Sequence, residues 1–263
     1  MSSLSVQGIC AGYGKQNILE NLSFQLEKGQ LMGILGANGS GKTTLLKALC
    51  GILPHQGTCT LEETALEQVS ARQLAKLVSY IPQRSGITID ISALDVVLMG
   101  FNPRLGLLEH PTRAMKRAAA QALEQVGLAG KEDTNYLHLS EGQKQLCILA
   151  RTLVSGSKLL LLDEPESALD FRFRYQMLEL LRRWAAENNS SAIVALHDPA
   201  LALNFCDRVL LLSGGGVLDI LTPQTTPLEE MEQALSAIYG NISLQRCSNR
   251  AGRSYLVMLK EDA

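Results

Sequence analysis

Gly36-Ala37-Asn38-Gly39-Ser40-Gly41-Lys42-Thr43 fits the pattern G-x-x-x-x-G-K-[ST]. A short apolar run at 31–35 precedes it, and a helical pattern through Leu45, Leu46 and Leu49 follows, ending near Gly51. Strand, glycine-rich loop and helix in that order make a phosphate cradle. The glycines let the backbone wrap closely, so that several N–H groups point at phosphate oxygens. The helix start adds the positive end of its dipole. In such a loop Lys42 reaches the β- and γ-phosphates of a nucleotide, and Thr43 places its hydroxyl on Mg²⁺.

Further along, Leu159-Leu160-Leu161-Leu162 reads as a buried strand, and Asp163-Glu164-Pro165 follows it. Ligands of open parallel sheets sit beyond the carboxyl ends of the strands. Two acids there are commonly just solvated. With a phosphate loop earlier in the chain, they read as a pair with separate tasks. Asp163 faces the Mg²⁺ held by Thr43, and Glu164 orients and polarises the attacking water. His197 follows the next apolar strand, 192–196, in the same way, as a candidate contact to the γ-phosphate.

Around these motifs, strands and helices alternate. Leu4, Val6 and Ile9 lead to a turn at Gly12-Tyr13-Gly14, and a second alternating run ends at Glu27-Lys28-Gly29. Residues 66–130 are richer in helical patterns, with 113–126 the clearest, and 171–187 reads as an amphipathic helix. Another strand is expected at 209–212, before the turn Gly214-Gly215-Gly216. The alternation predicts an α/β fold built on a mostly parallel sheet. The last forty or so residues read as a separate helix, 228–239, and a hairpin, 242–247 with 255–259.

Composition narrows the function. The chain has 263 residues, 46% hydrophobic and 19% charged, with a formal net charge of −2. That supports a folded core and speaks against a nucleic-acid partner. No apolar run has the length of a membrane span, and the N-terminus lacks a signal-peptide core, so the chain is expected to stay where it is made. Cys10, Cys50, Cys59, Cys147, Cys206 and Cys247 form no C-x-x-C pair and no zinc spacing, as in a reduced protein.

Between the loop and the acids stands Leu139-Ser140-Glu141-Gly142-Gln143. This resembles LSGGQ, the signature of the ABC ATPase family, and over about residues 4–217 the motif order is the family's. The resemblance implies a P-loop NTPase-type, mostly parallel sheet, an antiparallel β N-terminal subdomain, and a helical subdomain between Q-loop and signature, roughly 84–155. The ATPase domain would cover 1–223, with a short C-terminal extension at 224–263. It also implies that Tyr13 stacks on adenine, and that Gly36, Asn38, Gly39, Ser40, Gly41, Lys42, Thr43 and Thr44 hold ATP. Gln83, Glu164 and His197 would be catalytic, and Thr43, Gln83 and Asp163 would hold Mg²⁺. Ser140, Glu141, Gly142 and Gln143 would meet the ATP of a partner subunit, with Asp170 in the D-loop. Two such chains, identical or close paralogues, pack head to tail around ATP. They drive a separate membrane permease and, through it, serve a solute-binding protein. The subunit itself would be soluble when isolated and peripheral at the cytoplasmic face.

Two positions depart from the family pattern. Glu141 replaces a signature glycine; its side chain is expected to point away, leaving Gly142 for the close approach. Glu166 replaces a small or polar residue, without a sequence-level reason. The run after the Q-loop, Asp95 to Gly100 and then Arg104-Leu105-Gly106-Leu107, is similar to ATPases of iron-siderophore, haem and cobalamin importers. The rival expectations are an ABC transporter for an unrelated solute and a soluble, non-transport ABC ATPase. The second would carry a coiled-coil insertion or two motif sets.

Overall fold

The computed structural model describes residues 2–83, 86–106 and 108–261. The chain opens with β1 (Ser2–Tyr13) and β2 (Gln16–Glu27), then β3 (Leu31–Gly36) leads through the glycine loop into α1 (Lys42–Leu49). β4 (His55–Leu61) and the two-residue β5 (Thr64–Ala65) follow, then α2 (Ala71–Leu77) and β6 (Val78–Ile81). Three helices come next, α3 (Ala93–Leu98), α4 (Arg113–Gln125) and α5 (Glu141–Leu153). After them come β7 (Leu159–Asp163), α6 (Phe171–Glu187), β8 (Ser191–Ala195), α7 (Pro199–Phe205), β9 (Arg208–Ser213) and β10 (Gly216–Leu221). The chain closes with α8 (Leu228–Tyr239), β11 (Ile242–Ser248) and β12 (Ser254–Lys260).

The central sheet has the order β10-β9-β3-β8-β7-β6. Every pair in it is parallel except β9 with the edge strand β10. Strands covered on both faces need side chains that are apolar throughout, and β3, β7 and β8 are buried at every position. A second, antiparallel sheet, β2-β1-β4-β5, forms the N-terminal β subdomain. Helices α3, α4 and α5 pack on one another and share the core that holds Val96, Leu123, Ile148 and Leu160.

Several local expectations shift. Strand β1 runs on through Gly12 and Tyr13, and the turn falls at Gly14 and Lys15. The helical stretch 66–130 also holds the strand β6, and the glycine turn at 214–216 starts an unforeseen strand, β10. The signature helix begins at Glu141, because Ser140 is its N-cap. Arg84, the first residue of the expected helical subdomain, and Leu107 of the importer-like run lie outside the described residues, as do 262 and 263 of the extension. The C-terminal elements pack into the main core through Met231, Leu235, Ile242, Leu244 and Leu256. Asn204 of α7 clamps them: its amide accepts from Leu256 N at 2.7 Å and donates to Leu256 O at 2.8 Å.

One close approach fixes how the helical region docks. Gly100 follows α3, and a β-carbon there would lie 2.1 Å from the carbonyl oxygen of Arg151 in α5 and 2.8 Å from Val154. Backbone cannot yield as a flexible side chain can. Gly100→Ala is therefore expected to lower stability by about 2 kcal/mol, read as a shifted midpoint in urea unfolding.

Candidate nucleotide site

Strands β3, β7 and β8 end side by side, with Leu162 paired to Val194 and Asp163 to Ala195. The residues just beyond those ends build the site. Tyr13, Ile18, Asn38, Gly39, Ser40, Gly41, Lys42, Thr43, Thr44 and Glu164 line one cleft of about 240 Å³. Tyr13 is half exposed at its edge, as a stacking platform must be.

The loop has the features of an anion cradle. Gly39 has φ +81 and Gly41 has φ +102, left-handed backbone that a side chain would strain. At Gly41 a β-carbon would also lie 2.5 Å from Leu19 Cδ2. Gly41 is the N-cap of α1 and provides no side-chain acceptor, so the first helical N–H groups keep their capacity for an anion. Ser40 Oγ is buried without a hydrogen-bond partner. Lys42 is buried as well, and its Nζ donates to Gly36 O at 2.8 Å and more weakly to Ala37 O at 3.4 Å. Burial lowers its pKa, opposed by the nearby carboxylates Glu164, Asp163 and Glu166. An orphaned hydroxyl, free helix N–H groups and a buried ammonium all fit a polyphosphate.

The acids divide as their positions require. Asp163 Oδ1 accepts from Thr43 Oγ1 at 3.0 Å, and Oδ2 accepts from Tyr80 OH at 3.1 Å. Burial pushes its pKa up, with Glu164 adding to the rise and both hydrogen bonds opposing it. Hydroxyl and carboxylate oxygens are hard donors, suited to Mg²⁺. Glu164 has φ +50, a conformation uncommon outside glycine that marks a functional position more often than a passive one. Its Oε2 accepts from Gln83 Nε2 at 2.7 Å and lies 2.6 Å from His197 Nε2. Gln83, Glu164 and His197 thus meet at a single oxygen. The amide oxygen of Gln83 is not engaged in that contact.

Ser140, Gly142, Gln143 and Asp170 line a second cleft, which shares no lining residue with the first. Ser140 and Gln143 close a capping box: each side chain accepts from the other's backbone N–H. Glu141 keeps an ordinary backbone, points outward and pairs with Lys144 at 2.7 Å. Asp170 caps α6 by accepting from Phe173 N.

The family model described as ABC transporter matches residues 19–167, which hold the loop, the signature and both acids. The chain belongs to the ABC transporter family. This ABC ATPase is 35% identical over 243 residues to a probable iron chelatin transport ATP-binding protein of Helicobacter pylori, covering 90% of this chain and 92% of that one. It is 37% identical over 234 residues to the hemin import ATP-binding protein HmuV of Pseudomonas fluorescens, covering 86% and 88%. A solved metal-chelate type ABC transporter in an inward-facing conformation has a chain that superposes with a TM-score of 0.83. That chain is 28% identical, and the match covers 99% of both chains. ATP hydrolysis in the service of transport is the family's activity, and it is this chain's.

Two contributors to the ABC ATPase site escaped the sequence reading. Tyr80 stands three residues before Gln83 at the end of a strand too short to recognise. Glu166, left without a reason above, is 2% exposed, and its Oε1 accepts from the backbone N–H of His197 at 3.0 Å.

The raised pKa of Asp163 has a sign that can be tested. Folding makes this carboxyl hold its proton more tightly than the unfolded value of 3.8, so keeping it ionised in the empty site costs stability. The cost grows as pH rises through the folded pKa and is absent below 3.8. Asp163→Asn should therefore melt higher than the wild type in nucleotide-free buffer at neutral pH, with the gap closing on acidification. The same variant should lose about 100-fold in Mg²⁺-dependent ATP hydrolysis, measured by phosphate release.

Proposed function

We propose that this chain is the ATPase of an importer for a metal chelate, of the iron-siderophore, haem or cobalamin type. The observation that carries the reading is the likeness to a metal-chelate type transporter along essentially the whole of both chains, including the C-terminal elements. The relatives named for iron chelatin and hemin import support it. Among the described residues no helix is long and apolar enough to cross a membrane. In this reading the chelate passes through a separate permease. The subunit works at the inner face of that permease, and a solute-binding protein delivers the cargo. Residues 1–223 act as the ATPase domain and 224–263 as a short extension.

The separation of the two clefts supports a head-to-tail homodimer. The phosphate loop of one subunit and the signature of the other close on one ATP, since a single chain keeps the two apart. Tyr13 carries the adenine, while the loop N–H groups, Ser40, Lys42 and Thr44 carry the phosphates. Thr43, Asp163 and the Gln83 amide oxygen are the residues that would hold Mg²⁺, which supplies charge neutralisation at the β- and γ-oxygens. Glu164 takes a proton from the attacking water as its oxygen bonds to the γ-phosphorus, while the bond from that phosphorus to the β–γ bridging oxygen breaks and ADP carries the electron pair away. His197 fixes that carboxylate and meets the γ-phosphate. Gln83 links the site to the region after β6, where departure of the phosphate can be passed to the permease. When the phosphate leaves, the bridge between subunits is lost and the dimer opens.

Glu164→Gln is expected to cut hydrolysis by at least about 100-fold while keeping ATP binding, and to elute as a dimer in ATP. A variant that hydrolyses ATP at the wild-type rate would remove Glu164 from its role.

A further inference from the structure

The turn after β7 and the loop after β8 are joined at three points. Glu164 N donates to Ala195 O at 3.2 Å, His197 N donates to Glu166 Oε1 at 3.0 Å, and His197 Nε2 lies 2.6 Å from Glu164 Oε2. The three contacts close a ring through both loops. Two of them belong to groups already given a task. The third depends on Glu166, a carboxylate that is 2% exposed and reaches no solvent.

A buried acid is costly to keep; this one accepts from the His197 N–H at Oε1, while Oε2 is buried with no hydrogen-bond partner among the described residues. Its titratable neighbours include Lys42, His197 and Glu164 of the nucleotide site. Packing alone would be served better by an apolar residue of the same length. The backbone of His197 is where the carboxylate acts. The imidazole is 48% exposed, so packing does little to hold it; its contact with Glu164 and the pinning of its main chain by Glu166 are what hold it.

We infer that Glu166 is a positioning residue for ATP hydrolysis: its Oε1 anchors the His197 amide and so holds the imidazole against Glu164. The inference rests on the assignment of Glu164 and His197 to the reaction. It predicts a loss that falls on turnover, since Glu166 hydrogen-bonds to the His197 amide and, among the described residues, no hydrogen bond joins it to the phosphate loop or to Tyr13.

The test compares two variants of nearly equal side-chain length. Glu166→Met removes the acceptor and keeps the volume, while Glu166→Gln retains an oxygen able to accept the same bond. Glu166→Met should lower kcat about tenfold, the worth of one buried hydrogen bond to a charged group, with KM for ATP unchanged. Glu166→Gln should restore most of that loss. In a cycle with His197→Ala, the double variant should be no slower than His197→Ala alone, because both changes disable one unit. Binding of a fluorescent ATP analogue confirms that each variant is folded. Wild-type kcat in Glu166→Met, a loss that Gln does not restore, or losses that multiply in the cycle would each overturn the inference. Glu164→Gln, run alongside, separates the two levels: if it abolishes turnover while Glu166→Met does not slow it, the site stands and only the role of Glu166 falls. If Glu164→Gln turns over normally, both fall.

Discussion

The parallel pairing of β7 with β8, and of β8 with β3, is the constraint from which the rest follows. Parallel strands in register end at one edge, so everything that must meet at that edge can come from distant parts of the chain. Residues near 40, 83, 164 and 197 converge there for that reason. The strands are held together by side chains apolar on both faces, Leu160 to Leu162 against Ala192, Ile193 and Val194. A slip of one residue would still bury leucines, since both faces are apolar. It would also carry Asp163 away from Thr43 and Glu164 away from His197. The hydrogen bonds among the loops therefore select the register that the hydrophobic pattern alone leaves open.

The electrostatics of the edge run against stability. Three carboxylates crowd around one buried ammonium, and two of them, Asp163 and Glu166, are pushed toward protonation by burial. A protein selected only for folding would replace them. Retaining them makes sense where a polyphosphate and a divalent cation complete the charge balance, the usual trade between stability and activity at a working site. The left-handed backbone of Glu164 belongs to the same trade, and its N–H bond to Ala195 O helps to hold it.

Much of this was legible in the sequence, for identifiable reasons. The phosphate loop is local: eight consecutive residues hold nearly all its chemistry. The helix 171–187 has a periodicity long enough to fix its ends, and the run 159–162 is uniform enough to mark a strand, which the structure carries one residue further to Asp163. The strand β6 is only four residues and directly continues a leucine-bearing helix, so period alone could not separate it. The strand β10 places Asp219 and exposed Leu218 on an edge where burial no longer enforces alternation. The helix α7 carries a signal, Asp198 as cap and Pro199 at the first turn, but seven residues are too few for a clear helical period. Glu166 was illegible in a different way. Its meaning depends on a backbone N–H thirty-one residues away, which no local pattern encodes.

Lys42 shows how the cradle waits for its ligand. Its ammonium rests on the carbonyls of Gly36 and Ala37, and the residue is buried. A lysine free in solvent would surrender up to about 2 kcal/mol of rotamer entropy on engaging a phosphate. Here that ordering was completed when the chain folded, and the incoming nucleotide only exchanges one set of oxygens for another. Nucleotide capture thereby becomes a substitution at a preorganised centre rather than a disorder-to-order event.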